Sequence, residues 1–141
     1  MTHINLAKSD AEIERCFPIM QALRPHLIAS DFVSRIRRQE QQGYQLAYLE
    51  DDGSIKAVGG FRIGESLSWG KFLYVDDLVT QESDRSQGYG THLLNWLFDY
   101  AKANACEQLH LDSGVQRFAA HRFYFKQRLE IRAYHFAIDL I

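Results

Sequence analysis

Cysteine and proline are scarce, with two of each in 141 residues. Cys16 and Cys106 form no CxxC pair and fall in helix-like and strand-like contexts, which predicts reduced thiols rather than a disulfide or a structural metal. No apolar run approaches the roughly 20 residues that cross a bilayer, and the start lacks the basic region and apolar stretch of a secretory signal. No membrane partner is therefore expected, and a cytoplasmic location is. Neither charge sign dominates: 16 Lys and Arg face 18 Asp and Glu, for a net charge of −2. The basic residues are scattered except for Arg35-Ile36-Arg37-Arg38, read as a solvated helix face, so nucleic acid is not expected as a partner. His110, His121 and His135 have no metal-ligand spacing with a partner, so no metal is expected either. Repeats, linkers and low-complexity segments are also missing, which favours one domain over residues 1–141.

What is present is a chain with 46% hydrophobic and 13% aromatic residues, enough to build a core. Ile4-Asn5-Leu6-Ala7 reads as a first strand. Ser9 and Glu12 form a capping-box pair ahead of Ile13, Phe17, Met20 and Leu23 at helical spacing. Pro18 should kink or restart that helix, and Pro25 should end it. A second helix is predicted over about residues 30–42, with Phe32, Val33 and Ile36 as its apolar stripe and Gly43 just past its end. Runs over residues 44–49 and 55–63 flank an Asp-Gly turn and read as an antiparallel hairpin. Gly59 and Gly60 in its second arm predict a bulge or a group packed on the backbone. A strand over 72–80, a helix from Thr91 to Asn104 and a strand over 107–112 make a right-handed crossover with parallel strands. A helix over about 115–127 and an alternating strand over 131–138 complete a mixed α/β fold.

The stretch Asp84-Arg85-Ser86-Gln87-Gly88-Tyr89-Gly90-Thr91 carries most of the functional information. It sets two glycines between a strand-like and a helix-like run, where backbone can approach a ligand closely and the first helical N–H groups present the positive dipole end. Such a corner suits phosphate. A Walker loop requires Gly-Lys-Ser/Thr, whereas Gly90-Thr91-His92 stands here; a Rossmann fingerprint requires a third glycine, whereas Leu93 stands there.

Arg85-x-x-Gly88-x-Gly90 resembles the acyl-CoA motif of the GNAT superfamily, the Gcn5-related N-acetyltransferases, and the order of elements resembles that fold over essentially the whole chain. The resemblance implies a mixed antiparallel and parallel sheet flanked by helices, with acetyl-CoA as cosubstrate. It also implies that the backbone of Leu78 and Val79 pairs with pantetheine. Arg85, Ser86, Gln87, Gly88, Tyr89, Gly90 and Thr91 would then surround the pyrophosphate. Ala120-His121-Arg122-Phe123-Tyr124 is similar to the superfamily's Ala-x-x-x-Tyr, which makes Tyr124 the expected general acid. Many relatives have Asn and Gly where this chain has Arg117 and Arg128; Arg117 is assigned to the CoA phosphates, and Arg128 puts the usual turn geometry in question.

Acetyl transfer to an amine needs a neutral nitrogen, a stabilised oxyanion and a proton for the thiolate. An alkylamine of pKa ~10.4 is neutral in roughly one molecule per thousand near pH 7.4, a deficit of about 4 kcal/mol that a carboxylate can help to remove. Tyr74-Val75-Asp76-Asp77-Leu78 resembles the corresponding run of polyamine acetyltransferases, in which the first carboxylate is the proposed base. Asp76 is the first choice and Asp77 the second, and strand alternation should point them to opposite faces. The resulting expectation is an N-acetyltransferase acting on the primary amine of a small molecule or peptide, with a homodimer left open. The competing expectation is an inactive member that binds acyl-CoA as a sensor or interaction module.

Overall fold

The computed structural model describes residues 1–81 and 87–141. Residues 1–110 and 111–141 form separate compact units. The first contains β1 (Thr2–Leu6), α1 (Asp10–Leu23), α2 (Ala29–Glu40), β2 (Gln45–Asp51), β3 (Ser54–Ser66), β4 (Gly70–Thr80), α3 (Tyr89–Ala103) and most of β5 (Gln108–Leu111). The sheet order is β1-β2-β3-β4-β5, with β1 through β4 antiparallel in succession.

Local chemistry explains most of the boundaries. Glu12 N–H donates to Ser9 Oγ at 3.1 Å and Ser9 N–H donates to Glu12 Oε1 at 2.9 Å, closing the expected capping box of α1. Pro18 lies inside α1, which runs unbroken through it, so the expected restart does not occur. The buried Ile13, Cys16, Ile19 and Met20 on both sides of the proline hold the helix to the sheet, and their burial outweighs the single hydrogen bond it forfeits. Gly43, at φ +92°, follows α2. Asp52 and Gly53, at φ +53° and +78°, form the two-residue turn of the β2–β3 hairpin.

The sheet is covered on both faces. Tyr44, Leu46, Tyr48, Val58 and Val79 pack with Ile13, Met20, Phe32 and Ile36, and Phe17 meets Phe32 edge-on at 5.2 Å between centroids. On the other face, Phe61 packs edge-on against Trp96 and Tyr100 of α3. Cys16 is buried in the first layer, and burial pushes its thiol up to about 12. β5 is reached at the start of β4, where Glu107 N–H donates to the Lys71 carbonyl at 2.7 Å. Among the described residues, no helix is long and apolar enough to cross a membrane.

Residues 111–141 contribute the end of β5 and α4 (Phe118–Lys126). The strand expected over 131–138 is not formed: those residues are exposed and outside any ladder. Alternation describes the two faces a strand would have, but a strand exists only where its backbone is paired.

Candidate active site

β4 carries one residue more than β3 opposite it. Gly60 pairs with Asp77 and Phe61 pairs with Val75, which leaves Asp76 as the extra residue of a β-bulge. The bulge overturns the expectation that the two aspartates face opposite ways, because an inserted residue breaks the alternation. Asp76 and Asp77 line the same cleft of about 540 Å³, between β4 and helices α1 and α2. Gly59-Gly60 signalled both the bulge and its second cause: a Cβ on Gly60 would collide with the Tyr44 phenol, which lies directly on the glycine backbone.

Each carboxylate has its own arginine. Arg62 Nε and Nη2 donate to Asp76 Oδ2 and Oδ1, both at 2.8 Å. Arg24 Nε donates to Asp77 Oδ1 at 3.0 Å, while its Nη2 donates to the Asp76 carbonyl at 3.0 Å and so braces the bulge. Tyr44 Oη donates to Asp77 Oδ2 at 2.8 Å. Burial and the nearby Asp77 charge hold the Tyr44 phenol well above its usual range, so it remains a donor. The Asp77 side chain is 15% exposed and that of Asp76 24%, so Asp76 is the more accessible of the two. A carboxylate offers about four lone-pair sites, and the fork of Arg62 uses two on Asp76. The carboxylate can therefore still accept from a water or an amine.

The glycine corner lies beyond β4. Gly88 is the N-cap of α3, left-handed at φ 80° and ψ 9°, with no side-chain cap. A Cβ there would meet nothing within 4 Å, so the conformation, not crowding, calls for glycine. Gln87 immediately precedes it, and Tyr89, Gly90 and Thr91 form the first turn of α3, two residues ahead of the expected start. Tyr89 Oη donates to Asp51 Oδ2 at 2.7 Å, which ties this turn to the hairpin. Arg85 and Ser86 lie outside the described residues. Leu78 and Val79 follow Asp77 on β4 and pair with Gly59 and Val58.

In the 111–141 unit, Tyr124 is half-buried on α4, and burial raises its phenol above the usual range while the Arg117 guanidinium bonded to it acts the other way. Arg128 adopts φ +69°, and Leu129 N–H donates to the Tyr124 carbonyl at 3.1 Å. A left-handed turn thus forms after α4 on an arginine, at a backbone cost of about 1–2 kcal/mol. His121 Nε2 lies 2.8 Å from the Gly114 carbonyl, which anchors the approach to α4. Among the described residues, no group of three His, Cys, Asp or Glu could hold a metal.

Sequence reasoning missed Arg24, Tyr44 and Arg62. Arg62 stands opposite Tyr74 in the β3–β4 register, so its approach to Asp76 becomes visible only once register and bulge are known. Tyr44 had one available signal, the glycine that makes room for it.

A five-stranded sheet covered on both faces, with a glycine-capped helix after its fourth strand, defines an α/β domain. Residues 11–129 match the model of the acetyltransferase (GNAT) family, and the chain belongs to that family. It is 34% identical over 138 residues to the uncharacterized N-acetyltransferase YhdJ of Bacillus subtilis (strain 168), covering 96% of this chain and 97% of the relative. Its fold is similar to that of the glucosamine-6-phosphate N-acetyltransferase from Arabidopsis thaliana, with TM-score 0.79, 18% identity and coverage of 100% and 99%. It is also similar to the ribosomal-protein-alanine N-acetyltransferase from Brucella melitensis biovar Abortus 2308, with TM-score 0.84, 13% identity and 99% of each chain covered.

Proposed function

We propose that this chain, acting as one domain over residues 1–141, transfers acetyl from acetyl-CoA directly to the primary amine of a small molecule or peptide. The observation that carries the reading is the bulge, which presents Asp76 and Asp77 to one cleft immediately before Leu78 and Val79, the backbone assigned to pantetheine. Amides of residues 87–91, with Arg85, Ser86 and Arg117, are assigned to the CoA phosphates. No metal takes part.

In this mechanism the amine loses a proton to Asp76, directly or through a water, and Asp77 is the second choice. The neutral nitrogen attacks the acetyl carbonyl, the C–S bond of the tetrahedral adduct breaks as Tyr124 gives its proton to the departing thiolate, and the second proton of the adduct nitrogen returns through water to the Tyr124 phenolate while Asp76 releases its own proton to solvent. The products are the N-acetyl amide and CoA. A phenol is protonated through the neutral range, as a proton donor to the thiolate must be. A cytoplasmic location and a homodimer belong to the same proposal. The exposed apolar side chains at 134, 136, 138 and 140 are what a second copy would cover.

The reading is tested by thiol release from acetyl-CoA in the presence of amines, with mass spectrometry of the acceptor. A product heavier by one acetyl group is expected; CoA binding without turnover on any amine would leave the sensor reading in its place.

A further inference from the structure

Asp76 and Asp77 each have an arginine, Arg62 and Arg24, so these four side chains are charge-balanced within the cleft. Arg35 lines the same cleft from α2. The residue is half-buried and, among the described residues, its guanidinium takes part in no hydrogen bond or ion pair. Asp31, one turn earlier on the helix, makes no ion pair with it. The exposed His26 stands in the same lining and adds a second polar donor. The chain as a whole carries a net charge of −2, yet this cleft is positive by one charge: three guanidiniums against two carboxylates. A guanidinium that borders a cleft with no acceptor is a recognition element for an oxyanion, because its planar fork matches carboxylate and phosphate geometry.

We infer that the acceptor is an amine that also carries an oxyanion, a carboxylate or a phosphate, and that Arg35 binds that anion while the nitrogen is presented at Asp76. The inference rests on the proposed acetyl transfer and adds its substrate class. It disfavours polyamines and other purely cationic acceptors, which Arg35 would repel, even though the Asp76-Asp77 run taken alone resembles the polyamine enzymes.

Matched pairs of acceptors separate the terms: alanine against ethylamine for a carboxylate, and phosphoethanolamine against ethanolamine for a phosphate. In at least one pair the anionic member should have a kcat/KM about tenfold to a hundredfold higher. Arg35→Gln should erase that advantage by raising the KM of the anionic acceptor, with the neutral amine and acetyl-CoA unaffected. The pair that shows the effect identifies the anion. Equal or better use of the neutral members, or an Arg35→Gln enzyme with unchanged preference, overturns the inference while acetyl transfer stands. If no amine is acetylated, the proposed transfer itself fails, and calorimetry with phosphoethanolamine and alanine decides the anion site separately. Heat from either ligand on wild type that Arg35→Gln abolishes retains the site; silence with both removes it.

Discussion

Asp76 and Asp77 share a cleft, yet their partners make them respond differently to substitution. Asp76→Asn removes the charge that would draw a proton from the ammonium and leaves Arg62 exposed to water, so stability should change by less than about 1 kcal/mol. Activity should fall most near neutral pH and recover partly in alkaline buffer, where the amine arrives neutral. Asp77→Asn strands Arg24 and the buried Tyr44 phenol, and denaturant melts should show a loss of about 1–3 kcal/mol. A pH profile that recovers only in Asp77→Asn would move the base one residue along. Tyr124→Phe should cut kcat on the order of 10²-fold with little change in the KM for acetyl-CoA, as for a group used when the thiolate leaves. Wild-type turnover by a folded Tyr124→Phe protein would return that phenol to a packing role. The aspartates and Tyr124 were legible as residue types in motifs. The arginines were not, because an ion pair between β3 and β4 depends on register.

At the scale of elements, caps and turns were the most readable features, because each is decided by a few adjacent residues. The α1 capping box is an example with a pH signature. Hydrogen bonds from the Ser9 backbone, then the Tyr48 hydroxyl, then the Lys8 backbone lower the Glu12 carboxyl to about 2 from an ordinary 4.5. Its stabilisation is therefore full above about pH 4.5 and is lost as pH falls toward about 2. Acid-unfolding curves of Glu12→Gln should be flatter than wild type across that window, and superimposable curves would remove the cap from the account. The bulge was half legible: paired glycines announced it, but only packing shows that Tyr44 occupies the space. Two turns test the backbone arguments. Gly88→Val imposes φ +80° on a β-branched residue and should abolish acetyl-CoA binding in a folded protein; unchanged affinity would sink the phosphate assignment. Arg128→Gly relieves a left-handed arginine and should stabilise by about 1 kcal/mol in denaturant melts, and an unchanged midpoint would contradict the strain.

For the molecule as a whole, the order of elements along the chain and the family were legible because hydrophobic periodicity and the glycine corner agreed along residues 1–110. The last segment was misread because periodicity records which face would be apolar and carries no information on what covers it. Phe136 is 91% exposed there, and Tyr134, Ile138 and Leu140 are exposed with it. Sedimentation velocity should give a dimer, and a Phe136→Asp, Ile138→Asp double variant should shift it toward monomer; a wild-type monomer would rule the homodimer out. Acetyl transfer and acyl-CoA binding alone differ in what leaves the active site. Purified protein is mixed with acetyl-CoA and the amine panel, and free CoA and the acetylated acceptor are quantified in the same sample. CoA and N-acetyl product should form in one-to-one amounts, at a rate that falls on the order of 10²-fold in Tyr124→Phe. Saturable acetyl-CoA binding with neither product formed on any acceptor would contradict acetyl transfer.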